Sequence, residues 1–183
     1  MLRCAGVAVE VIVAEVDEAR IKADARHNGA CASDLSVTLA VLKAAHISAQ
    51  RPEALVIGAD QVLHCNDVWF DKPTNRDEIR THIRRLRGQT HYLATAVACA
   101  RAGTTIWHHT ETAELTMRMV SDAFIEDYIA HEGNIPLASV GAYLLESRGI
   151  QLFNRIEGSY FTILGLPLLP LLGFLRQEGV LLS

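Results

Sequence analysis

Ala54-Leu-Val-Ile-Gly-Ala-Asp-Gln61 decides how this chain is read. Ala54–Gly58 is short and wholly apolar, the pattern of a strand buried on both faces in α/β folds. Asp60 follows almost directly. In open α/β sheets ligands sit beyond the carboxyl ends of strands. A carboxylate on a glycine-relaxed turn there is placed to hold a metal or to activate a water. An aspartate that only caps a turn gives the same local pattern.

Upstream of this stretch, valine-rich alternation over Val7–Val13 predicts a strand, and Asp17-Glu18 ends it in a polar segment. Leu35, Leu39, Leu42 and Ile47 recur at near-helical spacing, so Asp34 to about Ala49 reads as a helix with Ser33 as its N-cap. Downstream, Asn66-Asp67 predicts a turn between two short strands. Thr74 or Asn75 can cap a helix running to Arg87, stopped by Gly88. His91–Arg101 and Thr105–Val120 predict long strands joined at Ala102-Gly103. Ser121 caps a helix over Asp122–Glu132 that Gly133 ends. Gln151–Ile156 reads as a strand, and Pro167 opens a last helix ending near Gly179. Mixed helices and long central strands indicate an α/β or α+β fold, with α/β preferred.

The chain has 183 residues, half of them apolar and 21% charged, which excludes disorder as its main state. Net charge is −4, and the 17 basic residues form no polybasic tail, so a nucleic-acid polymer is not the expected partner. The longest apolar run, Ile163–Leu175, is broken by Gly165, Pro167, Pro170 and Gly173 and is too short to span a bilayer. The first residues, Met-Leu-Arg-Cys-Ala-Gly, lack a signal-peptide pattern. Cys4, Cys31, Cys65 and Cys99 are widely spaced, with no C-x-x-C, so buried free thiols in a reducing cytoplasm are expected. P-loop, dinucleotide-binding, G-x-S-x-G and H-E-x-x-H motifs are all absent.

Three further residues could act with Asp60. Lys72 precedes Pro73, which stiffens the backbone that presents it, and an ammonium suits phosphate oxygens. Lys43 lies late in an apolar helix, from which it could snorkel to water or reach a site. Glu18 is a second oxygen ligand, and Mg²⁺ is typically bound by one or two carboxylates plus substrate phosphates. Two acidic and two basic groups together suit a metal–triphosphate. The arginine stripe Arg76, Arg80, Arg84 and Arg87 reads instead as a solvated helix face. Adjacent His108 and His109 would point to opposite faces of a strand and share no metal.

Taken together, these residues resemble the Maf family of nucleotide pyrophosphatases. The matching pieces are Ala14-Glu-Val-Asp-Glu18, Leu39-Ala-Val-Leu-Lys-Ala44, Val56-Ile-Gly-Ala-Asp-Gln61, Asp71-Lys-Pro73, Leu86-Arg-Gly-Gln-Thr-His91 with Thr95, Val140-Gly-Ala-Tyr143 with Glu146, and Ile156-Glu-Gly-Ser-Tyr-Phe-Thr-Ile-Leu-Gly-Leu-Pro167. They keep the family's order from about residue 5 onward.

The resemblance implies one Maf-like domain over residues 1–183. Its fold is a two-lobed, inosine-triphosphatase-like α/β arrangement around a long curved mixed sheet with a central cleft. The implied reaction splits a nucleoside triphosphate between its α- and β-phosphates with a divalent cation, Mg²⁺ or Mn²⁺. Asp60 is the implied general base and a metal ligand, with Glu18 assisting at the metal. Lys43 and Lys72 match phosphate-binding lysines. Gln61 and Glu146 fall where the family sets base specificity, and look like the branch acting on 7-methyl-GTP. A homodimer is compatible with this reading.

One departure is expected to matter. Family members open with a strand and a Ser-x-Ser-Pro-x-Arg loop facing the phosphates, whereas Leu2-Arg-Cys-Ala-Gly-Val7 matches the helix end that follows that loop. The alternative expectation is therefore a catalytically impaired nucleotide-binding protein, tied to cell-division control.

Overall fold

The computed structural model describes residues 1–182. Its helices are α1 (Glu18–His27), α2 (Ala32–Gln50), α3 (Arg76–Leu86), α4 (Asp122–Glu132), α5 (Tyr160–Ile163) and α6 (Leu168–Gln177). Its strands are β1 (Val56–Cys65), β2 (Val68–Phe70), β3 (Thr90–Arg101), β4 (Thr104–Met117) and β5 (Phe153–Glu157). The strands form one sheet in the order β2-β1-β3-β4-β5, which makes the fold a mixed α/β one. Pairing is antiparallel for β1–β2 and for β4–β5, and the two-residue link at Ala102-Gly103 makes β3–β4 an antiparallel hairpin. No helix among the described residues is long and apolar enough to cross a membrane.

The chain divides into two compact units. One contains Met1–Gln61, Ala94–Glu111 and the chain from Ser159 onward; the other contains Val62–Leu93 and Thr112–Gly158.

In the first unit the sheet has a helix on each face. Side chains alternate along a strand, so Ala96, Ala98 and Ala100 of β3 pack against Ala40 and Ala44 of α2. Val97 and Cys99 turn the other way, to Leu168, Leu171, Phe174 and Leu175 of α6, where Ile57 and Ala59 of β1 join them. Gly58 lies on the α2 face. A Cβ there would stand 2.4 Å from the Ala40 carbonyl oxygen and 2.7 Å from the Ala44 nitrogen. Its purpose is the close approach of helix to strand, not the relaxation of a turn. β1 accordingly runs on through Asp60 to Cys65, so the expected short strand and turn at this point are corrected.

The expected strand at Val7–Val13 is also absent, because residues 7–17 carry no regular structure. Val7 is buried, but Val11 and Val13 are 79% and 84% exposed. Alternation without a neighbouring strand to pair with does not hold a strand. The polar segment after it is a helix, α1. Its N-cap Asp17 accepts the Arg20 amide at 3.0 Å. α1 buries none of its residues, so it shows no apolar periodicity.

In the second unit, Asn66 and Asp67 both adopt left-handed backbone (φ 48° and 62°) in the β1–β2 turn, as a two-residue hairpin requires. Asn75 caps α3 and Ser121 caps α4, through the amides of Glu78 and Phe124. Ile79, Ile83 and Leu86 are buried on one side of α3, and Ile125, Tyr128 and Ile129 on one side of α4. The arginine stripe faces outward as expected and ties the two helices together. Arg80 meets Glu126 at 2.5 Å, and Arg87 meets Asp122 at 2.7 Å. These pairs are exposed and contribute little each. The strand expected from Gln151 begins instead at Phe153. Cys65 and Cys99 are buried free thiols, but Cys4 and Cys31 are exposed. Cys31, not Ser33, caps α2 through Sγ and the Asp34 amide.

The second unit also holds a buried histidine. His91 Nε2 lies 2.8 Å from the Tyr143 hydroxyl, while Nδ1 is buried with no hydrogen-bond partner among the described residues. Burial pushes the His91 pKa down to about 4 from the ordinary 6.5. Below pH 6.5 the unfolded chain takes a proton that the folded one refuses, so stability drops as pH falls through this window. We expect His91 to account for a loss of about 3 kcal/mol between pH 6.5 and pH 4. Urea unfolding across that range should give a flatter profile for His91→Gln than for the wild type, and equal slopes would refute the assignment.

Candidate active site

Three of the residues singled out in the sequence converge in the first unit. Lys43 Nζ lies 2.6 Å from Asp60 Oδ1 and 2.7 Å from Glu18 Oε1. Each comes from a different element, and each position has a local cause. The contact of Gly58 with Ala40 and Ala44 lays α2 close over β1, so Lys43, beside Ala44, reaches Asp60, two residues beyond Gly58. The Asp17 cap makes Glu18 the first residue of α1, where the helix dipole favours a carboxylate.

The cluster grades from interior to water. The side chain of Asp60 is 10% exposed, that of Lys43 22% and that of Glu18 41%. Burial raises the Asp60 pKa above its ordinary 3.8, and this outweighs the opposing pull of Lys43, with Glu18 adding to the rise. Burial alone would lower the Lys43 pKa, but its bonds to Asp60 and Glu18 outweigh that and raise it. The result is a carboxylate of increased basicity beside a firmly cationic ammonium. Such a pair can take a proton from a water and neutralise charge on a phosphate.

No group of three or more histidine, cysteine, aspartate or glutamate side chains suited to a metal occurs among the described residues. Glu18 and Asp60 still fit a divalent cation that draws its other ligands from phosphate and water. Both are hard oxygen donors, and they already meet around a single cation, the Lys43 ammonium.

Gln61 points away from this cluster, because successive residues of a strand face opposite sides. Its Nε2 donates to Thr95 Oγ1 at 2.8 Å, to the Thr162 carbonyl at 2.9 Å and to the Ile163 carbonyl at 3.1 Å. Thr95 Oγ1 also donates to the Thr162 carbonyl, at 3.0 Å. The Thr162 hydroxyl donates to Glu111 Oε2, whose other oxygen lies 3.2 Å from His109 Nε2. Glu111 is not among the residues that a sequence motif marks. The signal was period-two alternation, which puts Trp107, His109 and Glu111 on one face of β4.

β2 pairs only with Leu63–Cys65. Along Val56–Val62 no other described strand occupies that side of β1. Lys72 and Glu146 belong to the second unit, where both are exposed, Lys72 after β2 beside buried Pro73 and Glu146 in a turn.

Known proteins resemble this chain over nearly its whole length. The profile of the family described as Maf-like protein matches residues 1–178. The chain is 50% identical to a nucleoside triphosphate pyrophosphatase of Granulibacter bethesdensis, with 99% of this chain and 92% of that protein covered. It is 49% identical to a protein of the same name from Paramagnetospirillum magneticum, over 99% and 93% of the two chains. It is 46% identical to a 7-methyl-GTP pyrophosphatase of Mesorhizobium japonicum, over 99% and 91%.

Proposed function

The chain belongs to the Maf-like family, and from that premise we propose that it is a hydrolase that splits nucleoside triphosphates into monophosphate and pyrophosphate. The observation that carries this reading is the meeting of Asp60, Lys43 and Glu18 in a chain half identical, over nearly its whole length, to proteins named for that activity.

Asp60 takes a proton from a water whose oxygen attacks the α-phosphorus. The bond from that phosphorus to the oxygen bridging to the β-phosphate breaks, and pyrophosphate leaves with the bond's electrons. Lys43 offsets negative charge on the phosphate oxygens, which matters most as charge builds on the leaving group. Glu18 and Asp60 would hold a divalent cation, Mg²⁺ or Mn²⁺, which when bound adds further positive charge beside the phosphates. For Lys72 and Glu146 the support is the family pattern alone: a second ammonium for phosphate and an acceptor for the base. Gln61 with Glu146 favours a guanine-type nucleotide, 7-methyl-GTP among them.

Product analysis tests the reaction. With Mg²⁺ or Mn²⁺ and a panel of triphosphates, pyrophosphate is expected as the inorganic product. Orthophosphate released in its place, in reagents free of added pyrophosphatase, would refute the reading.

A further inference from the structure

We propose that Glu111 is a positioning residue for nucleobase recognition, acting through Thr162 to lock the Gln61 amide so that only its carbonyl oxygen faces a ligand. This rests on the pyrophosphatase reading above and assigns the site a polarity.

The hydrogen-bond directions follow from chemistry. The Thr162 and Ile163 carbonyls can only accept, so the Gln61 atom facing them must be the nitrogen. Nε2 has two hydrogens and three acceptors around it, so both are committed. Oε1 has no hydrogen-bond partner among the described residues and is not buried away from solvent. A base meeting Gln61 must therefore bring an N–H donor.

The lock depends on where the Thr162 and Ile163 carbonyls sit, and they belong to α5. That helix has four residues and no side-chain N-cap, too few to hold itself in water. Its tethers place it: buried Ile163, the bonds from Gln61 and Thr95, and the Thr162 hydroxyl on Glu111. The Thr162 hydroxyl donates to Glu111 Oε2, so Glu111 commits the hydroxyl hydrogen and holds Thr162 to β4. Without that tether the carbonyls shift and the Gln61 amide is free to rotate.

The test compares nucleotides with a triphosphate that carries no base. For Glu111→Ala, kcat/KM on GTP and 7-methyl-GTP is expected to fall about tenfold, carried by KM, with kcat within about twofold. Ribose 5-triphosphate should be turned over within about twofold of wild type. Thr162→Val should reproduce the loss. Glu111→Gln and Thr162→Ser, which keep the acceptor and the hydroxyl, should restore most of it. Equal loss on ribose 5-triphosphate would mean a merely structural role and overturn the proposal, as would unchanged KM on the nucleotides. If the wild-type protein hydrolyses nothing, the pyrophosphatase reading fails by itself. Calorimetry would still decide this inference. In Glu111→Ala, α,β-methylene GTP should bind about tenfold more weakly while tripolyphosphate binding holds. Equal weakening of both, or of neither, would overturn it.

Discussion

Asp60→Asn should slow pyrophosphate release about 10³-fold while leaving the fold intact, because a positioned general base contributes roughly 10²–10⁴. The substitution keeps shape while removing the basicity and the negative charge of the carboxylate, and Lys43 retains its 2.7 Å contact with Glu18. Stability should move the other way. The folded-state pKa of Asp60 is raised, so the folded protein holds this proton more tightly than the unfolded chain does. Asp60 therefore opposes folding once it ionises, and stabilises relatively as pH falls through the raised pKa. At pH 7 the neutral asparagine should leave the melting temperature equal or higher. The same shift places the acid limb of the wild-type rate profile above the ordinary aspartate value of 3.8. A variant that retains wild-type turnover would remove Asp60 from the chemistry.

Gly58→Ala should be the most damaging single methyl in the first unit. The added carbon would meet backbone atoms of α2 at 2.4 and 2.7 Å, and a helix backbone cannot step aside as a flexible side chain can. Overpacking costs 1–3 kcal/mol in ordinary cores and more where backbone must move. About 3 kcal/mol is expected here, a fall of roughly 6–12 °C in melting temperature for a chain of this length. Displacing α2 also withdraws Lys43 from Asp60, so activity should drop in the folded fraction too. A Gly58→Ala protein as stable and active as wild type would refute the account of how the site is assembled.

Much of the site was legible from residue type and order. Asp60, Lys43 and Glu18 were identifiable as candidates, and the structure brings those three together. The turn expected before Asp60 is not there: the aspartate sits inside a long strand, and Gly58 serves helix packing. A glycine in a strand looks alike whether it eases a turn or admits a neighbouring backbone, and only the position of α2 separates the two. Glu111 was missed for a similar reason. Its partner Thr162 lies 51 residues away, and a solvated glutamate on an alternating strand has the same local sequence.

What the sequence determined by itself is local. The hairpin at Asn66-Asp67, the caps at Asn75 and Ser121, and the stops at Gly88 and Gly133 all depend on groups within a few residues, so a short window contains their causes. The tertiary structure alone decided which alternating segments found a strand to pair with, and which carboxylates share one ammonium. Val7–Val13 has strand composition and forms no strand, while β1 runs straight through its glycine, because β structure is completed by partners that the chain supplies from far away.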